Sequence, residues 1–168
     1  MVNRPQTIEL SPIGIVRSPR TEVADDHWGA VISTIELDSR WLPAASLRGL
    51  DSFSHAEVIF HVDRVDPNSV ETAARHPRNR SDWPSVGIFA QRAKRRPNRL
   101  ALSRCEIVAV DGHTVTVRGL DAIDGSPVLD IKPYMREFGP RGPVAQPDWS
   151  VELMERYYDS MGAPEDAY

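Results

Sequence analysis

The alternation of apolar and polar residues along most of the chain is that of β-strands. Segments with this period of two, rich in β-branched residues, predict seven strands, which lie near residues 7–17, 31–37, 56–62, 85–92, 101–110, 114–120 and 126–134. Helical periodicity is scarce by comparison. The pattern therefore predicts a mainly β protein with few helices.

Short turns join the last of these strands. Asp111-Gly112 separates two β-branched runs and is typical of a tight hairpin, because glycine accepts the positive φ that such a turn requires. Gly119 and Gly125 mark the next turn. Parallel strands need a crossover of about a dozen residues or more, and these connections leave no room for one. The sequence thus predicts antiparallel pairing and argues against a Rossmann-type doubly wound fold.

Two segments, residues 38–54 and 63–84, interrupt the strand pattern, and a third segment follows it. Residues 42–50 are consistent with a short helix, whereas residues 63–84, rich in Arg, Asn, Pro and Asp, predict a long loop of the kind that often carries function. After Pro147, apolar residues recur at helical spacing. They predict a short C-terminal helix with Asp148 or Ser150 as its N-cap.

Composition indicates an ordinary folded domain. The 168 residues are 40% hydrophobic and 26% charged, which fits one domain with a real core. Cys105 is the only cysteine, which excludes a disulfide framework or a thiolate metal cluster and favours a reducing compartment. No apolar run approaches the ~20 residues of a membrane span, and the N-terminus does not resemble a signal peptide. We therefore expect a cytoplasmic protein.

Positive charge is concentrated in one part of the chain. The net charge is −4, yet residues 75–104 hold nine basic residues and one acidic residue, Asp82. Residues 91–99 alone contain five of these cations. Guanidinium groups bind phosphate or carboxylate with two hydrogen bonds, so this segment suits an RNA backbone or an anionic cofactor. Runs of charge are more often simply solvated. Composition therefore leaves an anion-binding site and a solvated loop evenly balanced as interpretations of this segment.

Histidines and aspartates offer weaker signals. His55 and His61 share one face of a predicted strand but lie about 20 Å apart, too far for joint zinc ligation, so we predict no metal site. Asp121, Asp124 and Asp130 lie in and after one glycine-flanked turn. They either cap backbone N–H groups of the turn or bind ribose hydroxyls or an amine of a ligand, and spacing does not choose between these roles.

Seven stretches of the chain form one recognisable pattern: residues 13–19, 32–37, 49–55, 87–92, 96–98, 102–103 and 119–134. Together they resemble one family, the TsaA-like (TrmO-like) β-barrel methyltransferases. Such proteins methylate N6 of threonylcarbamoyladenosine at position 37 of tRNA with S-adenosylmethionine. The resemblance implies a compact antiparallel or mixed β-barrel of about seven strands over residues 1–138, followed by a tail, 139–168, whose short helix packs on the same domain. It also implies a homodimer that acts on tRNA.

The resemblance carries site residues over by position. The cofactor-binding residues it implies are His55, Ala56, Arg92, Leu102, Asp121, Ala122, Ile123 and Asp124. Among them His55, Asp121 and Asp124 are candidates to accept the proton of the methylated amine. Residues of the basic segment are candidates to bind the methyl acceptor: Lys94, Arg95, Arg96, Asn98 and Arg99.

The chain departs from the family pattern in three places. Arg99-Leu100-Ala101 stands where the family usually has Pro-Ile-Gly, and residues 25–28 stand where it has a cofactor-binding Pro-Arg-Gln. Residues 75–84 resemble an insertion, and the chain ends in a short tail where some relatives carry a further domain. These departures favour a divergent subgroup. They keep two alternatives open, a methyltransferase with a small-molecule acceptor and a non-catalytic RNA-binding module.

Overall fold

The computed structural model describes residues 7–159, and six of its strands close into an antiparallel barrel. The barrel order is β1-β2-β7-β6-β3-β8, and two short strands, β4 and β5, pair separately. The strands are β1 Gly14–Arg17, β2 Ile32–Leu37, β3 His55–His61, β4 Ala74–Arg75, β5 Val86–Gly87, β6 Leu100–Asp111, β7 Thr114–Arg118 and β8 Pro127–Pro133. The predicted mainly β barrel, distinct from a Rossmann fold, is confirmed. Its pairings are all antiparallel rather than mixed.

One long strand, β6, joins the two halves of the barrel. Its first part pairs with β3, from His61↔Leu100 to His55↔Glu106. Its second part pairs with β7, with a register shift between Ile107 and Ala109. The hairpin at Asp111-Gly112 is confirmed, and Gly112 has φ 55°. Because β8 pairs with both β3 and β1, the sheet has no free edge at that seam.

Inward-facing residues of every barrel strand form a single core. Alternate positions are buried, as the period of two requires, and the fully enclosed side chains are mostly β-branched. They include Val16, Ile35, Val58, Val115, Val117 and Val128. Gly14 is needed at its position, since a Cβ there would lie 2.2 Å from the carbonyl oxygen of Glu36 on β2.

Two predicted strands are shorter than expected. Of residues 7–17 only Gly14–Arg17 is a strand, because only that part lies between β2 and β8. The predicted strand 85–92 is largely wrong, since Val86–Gly87 is followed by a 3-10 turn, Ile88–Ala90. The amide of Gln91 donates hydrogen bonds to two backbone carbonyls, those of Arg75 and Val86, and holds the chain in this turn.

The helical predictions are confirmed only in part. Residues 42–50 contain a 3-10 turn, Ala44–Leu47, that ends before Gly49, whose φ of 87° is left-handed. The C-terminal helix α1, Asp148–Met154, is present. Its N-cap is Pro147, which has no side-chain oxygen to accept a capping bond, so the expectation of Asp148 or Ser150 is wrong.

The remaining helical structure consists of short 3-10 turns at Leu50–Ser52, Pro67–Ser69, Pro77–Asn79 and Arg136–Phe138. Two of these turns, together with β4, lie in the segment predicted as a long loop, residues 63–84. None of the helices within residues 7–159 has the length and apolar character needed to cross a membrane. The predicted tail extends past residue 159 and the predicted barrel domain begins before residue 7, so both ends lie outside the described residues.

Candidate active site

The connection from β7 to β8 places two aspartates in different surroundings. Gly119, with φ 82°, turns the chain after β7, and the side chains of Leu120 and Ala122 then point into the core. Asp121 between them points the other way. Its Oδ2 accepts a hydrogen bond from the hydroxyl of Tyr157. Its Oδ1 is buried and has no hydrogen-bond partner within residues 7–159.

Asp124 has the hydrogen bonds of a turn residue. Its Oδ1 accepts a hydrogen bond from the backbone N–H of Ser18 at 3.0 Å, and its own N–H donates to the carbonyl of Arg20 at 2.8 Å. The guanidinium of Arg64 donates to the Asp124 carbonyl at 3.2 Å. Asp124 therefore has the capping role of a turn residue. Asp121 does not, because its Oδ1 has no hydrogen-bond partner among residues 7–159.

Arg92 and Leu102 meet directly. The Arg92 guanidinium donates a hydrogen bond to the carbonyl oxygen of Leu102 on β6. Arg92 and Asp121 both lie close enough to influence the same two phenols, those of Tyr157 and Tyr158. Burial is the main cause that raises the pKa of each phenol, Asp121 raises it further, and the positive charge of Arg92 opposes the change. Five residues from four separate stretches of sequence thus lie in one region of the protein.

His55 and Ala56 occupy the adjoining end of β3. The Nδ1 of His55 lies 2.9 Å from Ser54 Oγ, and the exposed ring borders a cleft of about 310 Å³ together with Tyr158 and Gly119. Ala56 is fully buried, and its carbonyl accepts the hydrogen bond of the Cys105 thiol. Cys105 lies beside it, and burial raises the pKa of its thiol to about 12, which leaves it unreactive near neutral pH.

The basic segment is largely engaged within the protein. Arg96 donates to the carbonyls of Ile88 and Gln91, and Arg99 donates to the Val65 carbonyl at 2.9 Å. Both guanidinium groups therefore hold the loop in shape. Lys94 Nζ lies 2.6 Å from Asp25 Oδ1. Of the predicted acceptor-binding residues, the exposed Arg95 and Asn98 are the two whose side chains make no hydrogen bond to another residue in the range 7–159.

Two of the departures from the family pattern contact each other. Arg78, in the insertion-like segment, donates two hydrogen bonds to the carboxylate of Asp26, at 2.6 and 2.9 Å. Burial works to raise the pKa of the neighbouring Asp25, but the hydrogen bond and charge of Lys94 outweigh it and the pKa is lowered. The acidic pair thus joins residues 75–84 to the basic segment. In the sequence, the only sign of this contact was that Asp25 and Asp26 are acidic whereas residues 75–84 and the basic segment are rich in cations.

Sequence reasoning did not assign Tyr157 or Tyr158 to the site. The hydroxyl of Tyr157 contacts Asp121, 36 residues earlier in the chain, and no local pattern reports such a contact. No set of three or more His, Cys, Asp or Glu side chains that could hold a metal ion occurs in the part of the chain that the structure describes.

The fold is a small closed antiparallel β-barrel, and Asp121 follows the end of its strand β7. Residues 18–139 match the family model of the tRNA-methyltransferase O N-terminal domain. The chain belongs to this family. This match confirms the resemblance seen in the sequence and, with it, the predicted class of enzyme, a methyltransferase.

Relatives of known name agree with this assignment. A probable S-adenosyl-L-methionine-binding protein of Methanothermobacter thermautotrophicus is 35% identical over 80% of this chain and 96% of its own length. A human tRNA (adenine(37)-N6)-methyltransferase is 34% identical over 62% of this chain and 23% of its own. These names bear out the predicted cofactor.

Solved structures show the same fold. TrmO from Pseudomonas aeruginosa superposes with a TM-score of 0.67 at 30% identity and covers 83% of this chain. The chain spans 61% of the length of that protein. The chain therefore matches part of the human and Pseudomonas relatives and nearly the whole of the Methanothermobacter protein.

Proposed function

We propose that this methyltransferase transfers a methyl group from S-adenosylmethionine to N6 of threonylcarbamoyladenosine 37 in tRNA. One observation carries the cofactor site: Arg92, which bonds to Leu102, and Asp121, which bonds to Tyr157, come from separate stretches of sequence, and the charges of both act on the phenols of Tyr157 and Tyr158. These are positions that the family resemblance links to the cofactor. The human relative's name supports the choice of tRNA adenosine as the acceptor.

The residues present suit the cofactor. A buried carboxylate oxygen without a partner is costly, and among residues 7–159 Asp121 Oδ1 is such an atom. A ribose hydroxyl or the amino group of S-adenosylmethionine is a donor that would satisfy it. The bond from Arg92 fixes the backbone of β6 at Leu102, against which the cofactor would lie.

Methyl transfer requires positioning more than covalent catalysis. S-adenosylmethionine, when bound, supplies an activated methyl group that the acceptor nitrogen takes as the carbon–sulfur bond breaks. The barrel residues orient the reactants and keep water from the site. His55 is the candidate to accept the amine proton, because its ring is exposed and, in the tautomer in which Nδ1–H donates to Ser54 Oγ, Nε2 has the lone pair that accepts a proton.

Binding and activity test this function together. Calorimetry with S-adenosylmethionine should show binding by the wild type and a loss of about tenfold or more in Asp121→Asn, since a hydrogen bond to a charged group is worth ~1.5–3 kcal/mol. Asp130→Asn is the matched control, because Asp130 pairs with Lys132 at 2.5 Å on the surface. Threonylcarbamoylated tRNA should then be methylated, and unmodified tRNA should not. No cofactor binding by the wild type at millimolar concentration would refute the proposal.

A small-molecule acceptor is the second candidate. The observation that favours it is that Lys94, Arg96 and Arg99 already bond within the protein. Cofactor binding without methylation of the tRNA would select this alternative. Salt-sensitive tRNA binding without cofactor affinity would instead indicate an RNA-binding module.

The homodimer implied by the family is also part of the proposal. Light scattering coupled to size-exclusion chromatography should give twice the mass of the 18.8 kDa chain. A monomeric mass at micromolar concentration would refute this part alone.

A further inference from the structure

The residues after helix α1 are docked on the barrel through backbone hydrogen bonds. The N–H of His27 donates to the carbonyl of Arg156 at 3.0 Å, and the N–H of Trp28 donates to that of Tyr157 at 2.8 Å. Gly29 allows the approach, because a Cβ there would lie 1.8 Å from the carbonyl oxygen of Tyr158. The backbone of Tyr157 therefore has a defined place against residues 27–29.

The helix itself is held at a second point. Trp83 Nε1 donates to Glu152 Oε2 at 2.8 Å, and the guanidinium of Arg80 lies 2.9 Å from Glu152 Oε1. The rings of Trp83 and Trp149 are in contact, with centroids 6.3 Å apart. The C-terminal segment is thus anchored both before and at Tyr157, and the insertion-like residues 75–84 supply one of the anchors.

These anchors set the side chain of Tyr157 against Asp121. The hydroxyl donates to Oδ2, and burial, followed by the adjacent carboxylate, raises the pKa of the phenol so that the proton stays on Tyr157. The ring packs edge-on against Tyr158 at 5.0 Å, which restricts its motion. One carboxylate oxygen is held and the other remains buried without a partner among the described residues.

We propose that Tyr157 is a positioning residue of the cofactor site, which orients the Asp121 carboxylate so that Oδ1 faces a donor group of S-adenosylmethionine. The inference rests on the proposed function, since it names the group that prepares the same site. A carboxylate fixed before the ligand arrives loses less rotational freedom on binding than a free one. Without the tyrosine hydroxyl, the carboxylate is free to rotate and its second oxygen also lacks a partner.

A double-mutant cycle tests the coupling. Tyr157→Phe removes the hydroxyl and should weaken S-adenosylmethionine binding about tenfold, the size of one hydrogen bond to a charged group. In an Asp121→Asn background the same change should have almost no further effect. Tyr134→Phe is the matched control, because the Tyr134 hydroxyl makes no hydrogen bond to residues 7–159, and it should bind as the wild type does.

Kinetics separate positioning from a purely structural role. The KM for S-adenosylmethionine should rise about tenfold in Tyr157→Phe, with the KM for the acceptor unchanged. Wild-type affinity in Tyr157→Phe, or an equal loss in both backgrounds, would overturn the inference and leave the proposed function intact. Failure of the wild type to bind the cofactor would instead overturn the proposed function.

Discussion

Replacement of Gly29 by alanine tests directly whether the C-terminal segment is docked on the barrel. The new Cβ would lie 1.8 Å from the carbonyl oxygen of Tyr158, so that oxygen must move until the contact exceeds 3.0 Å. Such a shift breaks the two backbone bonds from His27 and Trp28 to the segment. At about 1 kcal/mol each, their loss lowers the free energy of unfolding by about 2 kcal/mol. For a chain of this size the melting temperature should fall by about 4–8 °C.

The matched control is Gly87→Ala. No atom lies within 4 Å of a Cβ at Gly87, and its φ of −57° suits alanine, so this variant should be neutral or slightly more stable. Circular dichroism melting of both variants gives the difference. Hydrogen exchange should also become faster over residues 150–158 in Gly29→Ala only. Equal melting temperatures and unchanged exchange would show that the reasoning about docking is wrong.

Three further predictions concern an ion pair, a buried thiol and a loop conformation. Asp26→Asn breaks the two-bond ion pair with the half-buried Arg78 and should lower the free energy of unfolding by about 1–2 kcal/mol in urea titrations, with Asp130→Asn unchanged. Burial raises the pKa of the Cys105 thiol from 9.0 to about 12, so the stability that the protonated thiol contributes should be present below about pH 9 and lost as the pH rises towards 12. A thiol reagent added at pH 8 should label Cys105 only in the unfolded protein. Arg99→Pro should destabilise by more than about 1 kcal/mol in the same titrations, because Arg99 has φ 51° and proline cannot adopt it; a variant as stable as the wild type would refute the assigned loop conformation.

The Arg99 prediction also bears on the family pattern. The N–H of Arg99 donates to the carbonyl of Arg96 at 2.9 Å, and proline has no N–H. A chain with proline at this position must therefore shape the loop differently. The departure from Pro-Ile-Gly thus concerns backbone conformation as well as charge, at a loop whose residues the sequence offers as candidates to bind the acceptor.

The repeating pattern of the sequence was enough to locate most of the six barrel strands closely. In β2, β3, β6 and β7 the side chains alternate between core and surface, and this alternation is a local property that survives any arrangement of the neighbours. The tight turn at Asp111-Gly112 is local for the same reason. Residues 85–92 show the limit, since their apolar run folds into a 3-10 turn that is held by the side chain of Gln91.

The composition of the site, by contrast, was decided by tertiary structure. The family resemblance indicated Arg92, Leu102 and Asp121 as site residues. Only the folded structure shows that the guanidinium of Arg99 bonds to the Val65 carbonyl and so holds its own loop. Only the folded structure, likewise, shows that Tyr157 contacts Asp121, which lies 36 residues earlier in the chain. A period along the chain reports which face of a strand is buried, whereas the partner of a polar side chain depends on which distant segments the closed barrel brings together. The sequence alone therefore determined most of the barrel strands and the family, and only the folded barrel showed which of its charged groups already bond within the protein.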